Sequence, residues 1–284
     1  MRYSYYPGCS YHGSAKEYDT STRIVCKSLG IELVEVSDWS CCGATAGHST
    51  DDLLAAALSG RNLGLAEETG LDVTASCAAC YQRLAHGRHE LTRDPLLREK
   101  VNKITGRPFT GKIKVKTILD VLLDLGVDAI SEKVVKPLSG IKAAAYYGCL
   151  MVRPAAVQAD DPENPVKIDR VLQSVGAQTV DWDFKTECCG ASLAVSNEDV
   201  VVRLTYNIIK SAVEAGANCL VTACPLCHFN LDIRQGKINS TLGTDFNLPV
   251  FYFTQLVGLA LGIEGGSLNL NSHFVDTSSL LKAI

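Results

Sequence analysis

The sequence predicts an α/β fold made of two pseudo-symmetric repeated units. Each unit is a small, mostly parallel sheet flanked by helices, with cysteines just past the C-terminal ends of the strands. A Cys-Cys-Gly run followed by Cys-x-x-Cys occurs twice, at 41–43 with 77–80 and at 188–190 with 224–227. Thirty-four residues, 43–76 and 190–223, separate the Cys-Cys pair from the Cys-x-x-Cys motif in both copies, and the copies lie 147 positions apart. Short β-prone runs alternate with helical patterns around these motifs, which is typical of a duplicated α/β unit.

In the first unit, three predicted strands each precede a cysteine motif, at residues 2–7, 31–36 and 71–76. Two predicted helices lie between them, at residues 14–29 and from a cap at Ser49 or Thr50 to Gly70. The second unit repeats this order with the β-prone runs AAAYYG, QTVDWDF and CLVTA, and with helices over 166–175 and from Asn197 to Ala215. Because the carboxyl ends of parallel strands form one edge of a sheet, we expect the cysteines of each unit to meet there.

The predicted units cover residues 1–130 and 141–263. The linker between them contains proline and glycine, which are typical of turns. Residues 264–284 form a polar C-terminal tail that we expect to be weakly structured. The first unit carries a basic enlargement at residues 81–116, with ten Lys/Arg against three acidic residues. Such a stretch is usually a solvated surface, but its local charge also suits the docking of an anionic partner.

Composition excludes several classes of function. A net charge of −4 over 284 residues argues against general nucleic-acid binding. The N-terminus has no long apolar run of the kind found in secretory signals. The longest apolar stretch, 250–263, is too short to span a bilayer. We therefore expect a cytoplasmic protein without a membrane span.

Ten of the twelve cysteines fall into two sets of five, because Cys9 and Cys149 precede the motifs in similar settings. Soft thiolates select zinc, copper(I) or iron–sulfur clusters. Structural zinc takes four ligands and a redox dithiol needs two, whereas an iron–sulfur centre with a bridging thiolate accommodates five. The pattern favours iron–sulfur, with zinc as the main alternative.

The remaining cysteines and the histidines near the motifs have simpler interpretations. Cys26 and Cys219 have no counterpart in the other unit and are predicted to be buried structural residues. His12 and His228 lie next to cysteine motifs and are candidates to protonate a leaving thiolate, although packing roles are commoner. His48 is interpreted only as a residue at the start of a helix.

The strings YYPGCS, SDWSCCGA, SCAACYQRL, AYYGCL, ECCGASL and TACPLCHFNLD resemble the tandem CCG-domain family, and in particular the B subunit of heterodisulfide reductases. The resemblance extends from Tyr3 to about Gly262. It implies two noncubane 4Fe–4S clusters through which the cysteines act in catalysis. The implied ligands are Cys9, Cys41, Cys42, Cys77 and Cys80 for one cluster, and Cys149, Cys188, Cys189, Cys224 and Cys227 for the other.

The resemblance also implies an activity and partners. It implies reduction of a low-molecular-weight disulfide to two thiols, as part of a multi-subunit complex. Electrons would come from a ferredoxin-like C subunit, which is fed by a flavin-containing A subunit, so no flavin or nucleotide is expected on this chain. The alternative is an electron-transfer iron–sulfur subunit of another oxidoreductase, of the lactate or glycolate oxidase type, that reduces no disulfide itself.

Overall fold

A computed structural model describes residues 1–44 and 46–282, apart from the side chain of His12. In the first unit, the regular elements are β1 (Arg2–Tyr6), α1 (Lys16–Ser28), β2 (Glu32–Glu35), α2 (Gly47–Thr50), α3 (Asp52–Glu67), β3 (Val73–Ala75), α4 (Ala78–Arg93), α5 (Pro95–Thr105), β4 (Val115–Thr117), α6 (Ile118–Leu125) and α7 (Val127–Ser131). The four strands form one parallel sheet in the order β2-β1-β3-β4.

The second unit repeats this plan. Its elements are β5 (Lys142–Tyr146), α8 (Lys167–Ser174), β6 (Gln178–Thr179), α9 (Glu198–Glu214), β7 (Cys219–Thr222), α10 (Pro225–Ile233), α11 (Gln235–Leu242), β8 (Val250–Tyr252), α12 (Phe253–Ala260) and α13 (Ser278–Leu281). The parallel sheet has the order β6-β5-β7-β8, the same as in the first unit. The predicted fold class, with two repeated parallel sheets, is confirmed.

The boundaries of several elements differ from the predictions because hydrogen bonding decides them locally. The predicted helix from Ser49 or Thr50 to Gly70 is two helices. The longer one, α3, is capped by Asp51, whose carboxylate accepts the Leu54 N–H at 2.7 Å. Thr50 is not the cap because its hydroxyl donates to the Ala46 carbonyl within α2. Of the predicted strand QTVDWDF, only the first two residues pair with β5, and these two residues form β6.

The two units share a core at a reciprocal contact. Helix α1 of the first unit packs against α12 of the second, and α6 packs against α8. Since α1 and α8 hold equivalent places in the two units, as do α6 and α12, these are two versions of one contact. Val25 and Leu29 are buried in the same cluster as Leu256 and Val257. Each fully buried side chain of this size contributes about 1.5–3 kcal/mol, so the units stabilise one another.

The basic enlargement lengthens two helices. Helix α4 has 16 residues against nine in its counterpart α10, and α5 has 11 against eight in α11. Arg93, Lys100 and Lys103 are exposed on these helices, and Arg98 is half-buried. Within the described parts of the chain, none of these four side chains forms a salt bridge. The enlargement therefore presents unpaired positive charge to solvent.

The tail is more ordered than expected, because it packs on the second unit. The Asp232 carboxylate of α10 accepts the backbone N–H groups of Phe274 and Val275 at 2.8 and 2.9 Å. The His273 ring lies edge-on to His228, with 4.9 Å between ring centroids. A sequence pattern cannot show such contacts, since they join residues about forty positions apart. No helix among the described residues combines the length and apolar character needed to cross a bilayer.

Cys26 and Cys219 are buried away from the cysteine motifs, in α1 and at the start of β7. Burial raises the pKa of the Cys26 thiol to about 12 and raises that of Cys219 as well. Both are therefore neutral at pH 7. We expect Cys26→Ala and Cys219→Ala to lower the free energy of unfolding by about 1 kcal/mol, measured by denaturant titration, with metal content unchanged. Loss of metal from Cys26→Ala would contradict a ligand set confined to the repeated motifs.

Candidate metal centres

The strands bring each set of five cysteines to one edge of its sheet. In the first unit, Cys9 opens a 3-10 turn (Cys9–His12) after β1, and the adjacent pair 41–42 follows β2. Cys77 follows β3 as the N-cap residue of α4, so that Cys80 lies in the first turn of that helix. Because β1 pairs with both β2 and β3 in parallel, their C-terminal ends are neighbours. The second unit places its five cysteines in the same way after β5, β6 and β7.

The thiols of each set approach one another closely. The Sγ atoms of Cys42 and Cys80 are 3.6 Å apart, and those of Cys189 and Cys227 are 3.4 Å apart. In both units the N–H of the following glycine donates to the first sulfur of the adjacent pair, from Gly43 at 3.4 Å and from Gly190 at 3.3 Å. None of the twelve cysteines, all of which lie in the described part of the chain, forms a disulfide. Two equivalent all-sulfur sites are thus built by the fold.

Two glycines leave room for sulfur. Gly8 has φ +81°, and a Cβ placed there would lie 2.8 Å from the Cys80 Sγ. Gly148 has φ +64°, and its Cβ would lie 3.2 Å from the Cys227 Sγ. A side chain at either position would strain the backbone and crowd the last thiol of the set. At Gly43 and Gly190 the crowding comes instead from leucine side chains of the following helices.

Hydrogen bonds between thiols lower the pKa of some members of each set. The hydrogen bond with Cys80 lowers the pKa of Cys42 to about 7, and the nearby Arg83 charge acts in the same direction. The hydrogen bond with Cys149 lowers the pKa of Cys188 to about 6. Hydrogen bonds with Cys227 and Cys77 hold the pKa of Cys224 well below its usual value. The same hydrogen bonds raise the pKa of the partner thiols Cys80, Cys149 and Cys227, so each set pairs a readily formed thiolate, the form that binds metals, with neutral thiols.

Two tyrosines fix the adjacent cysteine pairs. Tyr6, the last residue of β1, donates its hydroxyl to the Ser40 carbonyl at 2.7 Å. Tyr146, the last residue of β5, donates to the Glu187 carbonyl at 2.6 Å. In both units the accepting residue directly precedes a Cys-Cys pair. The sequence interpretation missed this role, although a tyrosine three residues before the upstream cysteine in both units is a signal for it.

The two thiol sets meet where the units meet. The Cys77 and Cys224 thiols are close enough to share a hydrogen bond, and they are equivalent residues of the two repeats. The Tyr18 hydroxyl lies 3.1 Å from the Ser76 carbonyl and 3.3 Å from that of Ala223, the residues before these cysteines. The sets are thus neighbours across the contact between the units.

A cavity of about 270 Å³ opens between the units beside the second set. All five cysteines of that set line it, and the opposite wall comes from the first unit through Ala44, His48, Ser49, Ala78, Gln82 and Arg83. The Arg83 side chain is half-buried, and its Nε donates to the Gln82 carboxamide at 2.5 Å. Among the described residues, no carboxylate lines the cavity. It can hold a small molecule against thiols on one side and a guanidinium on the other.

Of the histidines near the motifs, His228 has the packing role that was the commoner expectation, whereas His48 is placed differently from its interpretation. His228 is buried, with Nε2 2.9 Å from the Val250 carbonyl and its ring stacked on Tyr252 at 4.1 Å. Burial lowers its pKa well below the usual value, so it is a neutral packed residue that does not line the cavity. His48, which the sequence suggested only as the start of a helix, lies on the cavity wall. The side chain of His12 lies outside the described part of the structure.

The donor sets fit a soft metal centre. Each offers five sulfur atoms at one sheet edge, with three of the five buried in each set. Tetrahedral zinc would leave one thiol of each set unused. A polynuclear iron–sulfur group uses all five, since sulfur ligands can bridge iron atoms.

Comparison with known proteins agrees with this geometry. The chain is 34% identical to the 8-methylmenaquinol:fumarate reductase membrane anchor subunit of Wolinella succinogenes, over 98% of each protein. It is 31% identical to the B subunit of the ferredoxin:CoB-CoM heterodisulfide reductase of Methanosarcina mazei, over 99% of this chain and 96% of that protein. A hypothetical protein from Helicobacter pylori, 14% identical, shares the fold over 97% of this chain with a TM-score of 0.79; the match covers 52% of that structure.

The profile of the cysteine-rich CCG domain matches residues 3–85 and 143–232, one match for each repeat. These two ranges contain all ten cysteines of the two thiol sets. The chain therefore belongs to the family of proteins with the cysteine-rich CCG domain.

Proposed function

We propose that this chain is the catalytic subunit of a heterodisulfide reductase-type complex that reduces a low-molecular-weight disulfide to two thiols. The observation that carries the proposal is the meeting of two complete thiol sets at Cys77 and Cys224, next to a cavity between the units that the second set lines. Reduction of a disulfide, RSSR′ + 2e⁻ + 2H⁺ → RSH + R′SH, requires two electrons at one bond. Two adjacent one-electron centres can deliver both electrons to that bond, whereas a single centre must be reduced again between two transfers. The M. mazei relative, matched over nearly the full chain, carries this activity in its name.

The cofactors that we infer are two noncubane 4Fe–4S clusters. Cys9, Cys41, Cys42, Cys77 and Cys80 would hold one, and Cys149, Cys188, Cys189, Cys224 and Cys227 the other. When bound, such clusters supply one-electron transfer at a potential set by hydrogen bonds to sulfur and by burial. The Gly43 and Gly190 N–H groups provide such hydrogen bonds in the two units. The Asn230 carboxamide adds a contact to the Cys189 sulfur at 3.8 Å.

The remaining cavity residues bind and orient the disulfide and supply protons. Arg83 is the cation of the first-unit wall and suits an anionic group on the substrate. His48 and Ser49 lie on the same wall and are exposed to solvent, so protons can reach the departing thiolates by this route. Holding the disulfide between the walls makes its reduction effectively unimolecular.

The electrons would come from partner chains, a ferredoxin-like C subunit and, behind it, a flavin-containing A subunit. The basic surface of α4 and α5 is the candidate docking surface for an anionic partner, because Arg93, Arg98, Lys100 and Lys103 form no salt bridge with any residue that the structure describes. We infer a cytoplasmic location for the complex.

A second candidate function is favoured by the W. succinogenes relative, which is matched over 98% of this chain. In this alternative, the chain is an iron–sulfur electron-transfer subunit of a quinol-linked reductase and reduces no disulfide. The relatives do not favour the lactate or glycolate oxidase alternative. Assaying the purified complex against a panel of disulfides and quinols separates the two candidates. Disulfide turnover supports the first, and quinol oxidation without disulfide turnover supports the second.

Anaerobically purified protein should contain about eight iron and eight sulfide atoms per chain, because each of the two sets would hold four of each. Metal and sulfide analysis, together with the visible spectrum, measures this. Stoichiometric zinc in colourless protein would contradict the iron–sulfur assignment.

Disabling either thiol set should abolish disulfide reduction rather than halve it, since both electrons must reach one bond. Cys42→Ala removes a buried ligand of the first set, and Cys189→Ala removes its equivalent in the second. Each variant should keep the spectroscopic signal of the intact set and lose at least about 99% of turnover. Cys26→Ala is the matched control for loss of a buried thiol. If either variant kept substantial turnover, the thiol set disabled in that variant would have only a relay or structural role.

Neutralising Arg93, Arg98, Lys100 and Lys103 to Gln should slow association with the electron-donating partner and flatten its dependence on salt. Long-range attraction of this kind is screened beyond about 10 Å at 0.1 M ionic strength. Stopped-flow association rates across a salt series measure the effect. The control neutralises four exposed cations elsewhere, Arg203, Lys210, Lys237 and Lys282. If the association rates of both variants depended equally on salt, α4 and α5 would be only a solvated surface and not a docking surface.

A further inference from the structure

Tyr18 lies in α1 and is completely buried at the contact between the units. Its hydroxyl is within hydrogen-bonding distance of two carbonyls, that of Ser76 at 3.1 Å and that of Ala223 at 3.3 Å. A tyrosine hydroxyl has one proton, so the two carbonyls share it. Ser76 directly precedes Cys77 and Ala223 directly precedes Cys224. One hydroxyl therefore joins the Cys-x-x-Cys motifs of both units.

The Tyr18 ring is held by residues from both units. It stacks on Tyr252 of the second unit, with 4.1 Å between centroids and 8° between planes. Tyr252 in turn stacks on His228, which follows Cys227. From the first unit, Tyr11 packs edge-on to Tyr18 at 5.7 Å. These contacts leave the ring little freedom to move, so the position of its hydroxyl is defined on both sides.

Tyr18 has no equivalent tyrosine in the second unit. Tyr6 and Tyr146 form an equivalent pair, each fixing a cysteine pair within its own unit. The segment of the second unit that matches the start of α1, residues 161–169, reads DPENPVKID and contains no tyrosine. A group that lies between two equivalent motifs can serve both at once, so one copy is sufficient.

We propose that Tyr18 is a positioning residue that sets the separation of Cys77 and Cys224, and through them the separation of the two metal centres. This inference rests on the proposed function, in which both centres act on one disulfide. A displacement of about 1 Å at a reacting site can cost 100-fold in rate. By joining the carbonyls before both cysteines, the Tyr18 hydroxyl opposes any relative movement of the two motifs.

The test is Tyr18→Phe in the cluster-loaded complex. The substitution keeps the stacked ring and removes only the hydroxyl. We expect iron content and KM near wild type, kcat lower by about tenfold or more, and a changed magnetic interaction between the two clusters in electron paramagnetic resonance spectra. The magnetic interaction reports the separation of the centres directly and does not depend on turnover.

The matched control is Tyr81→Phe. The Tyr81 hydroxyl also donates across the contact between the units, to the Val157 carbonyl at 3.0 Å, but it does not touch the carbonyls that precede the cysteine motifs. The control should leave the magnetic interaction unchanged. If both variants show the same interaction as wild type, Tyr18 has only a packing role and the proposal fails.

Further outcomes keep the inference separate from the proposed function. If Tyr18→Phe does not assemble, Tyr252→Leu removes the stacked ring, leaves the Tyr18 hydroxyl in place and must change the magnetic interaction from that of the wild-type complex. If the wild-type complex shows interacting clusters that depend on Tyr18 but reduces no disulfide, the proposed function is wrong and the positioning role stands. Wild-type protein without two interacting clusters would overturn both.

Discussion

The contact between Cys77 and Cys224 is the constraint on which the rest of the structure depends. Two thiol sets can be neighbours only if the units pack with the relevant sheet edges toward each other. The reciprocal packing of α1 on α12 and of α6 on α8 provides that orientation. The apolar residues at this contact share one buried cluster with Cys189, Cys224 and Cys227, so their packing determines where these thiols lie. Stability and the geometry of the site are therefore served by the same buried surface.

Much of the site was predictable, because the spacing of the cysteines along the chain and the topology of a parallel sheet leave few possible positions for the thiols. A cysteine that directly follows a short parallel strand must lie at the carboxyl edge of the sheet, and a repeat at a fixed spacing builds that edge twice. The placement of all ten cysteines could be predicted on this basis. The fold class followed from the same spacing.

The features that the sequence did not reveal depend on contacts between distant residues. Tyr18 reaches Ala223 across 205 positions, and Asp232 binds backbone groups of the tail 42 and 43 positions away. His48 has no motif around it, and its place on the cavity wall depends on how the units pack. Local patterns also misplaced the cap of α3, because Ser, Thr and Asp are all good caps and only the folded backbone selects Asp51.

The helices α4 and α5 are longer than their counterparts in the second unit. This difference lets a binding partner distinguish the two halves of the duplicated protein. A molecule built from two equivalent halves presents two similar outer faces, and a partner that recognised their common shape could bind in two orientations. The extra length of α4 and α5 occurs in one half only, and these helices carry the cations Arg93, Arg98, Lys100 and Lys103. The longer helices belong to the unit of the first thiol set, while the cavity lies against the second set. The duplication builds two equivalent thiol sets, and the difference between its halves gives each set distinct surroundings.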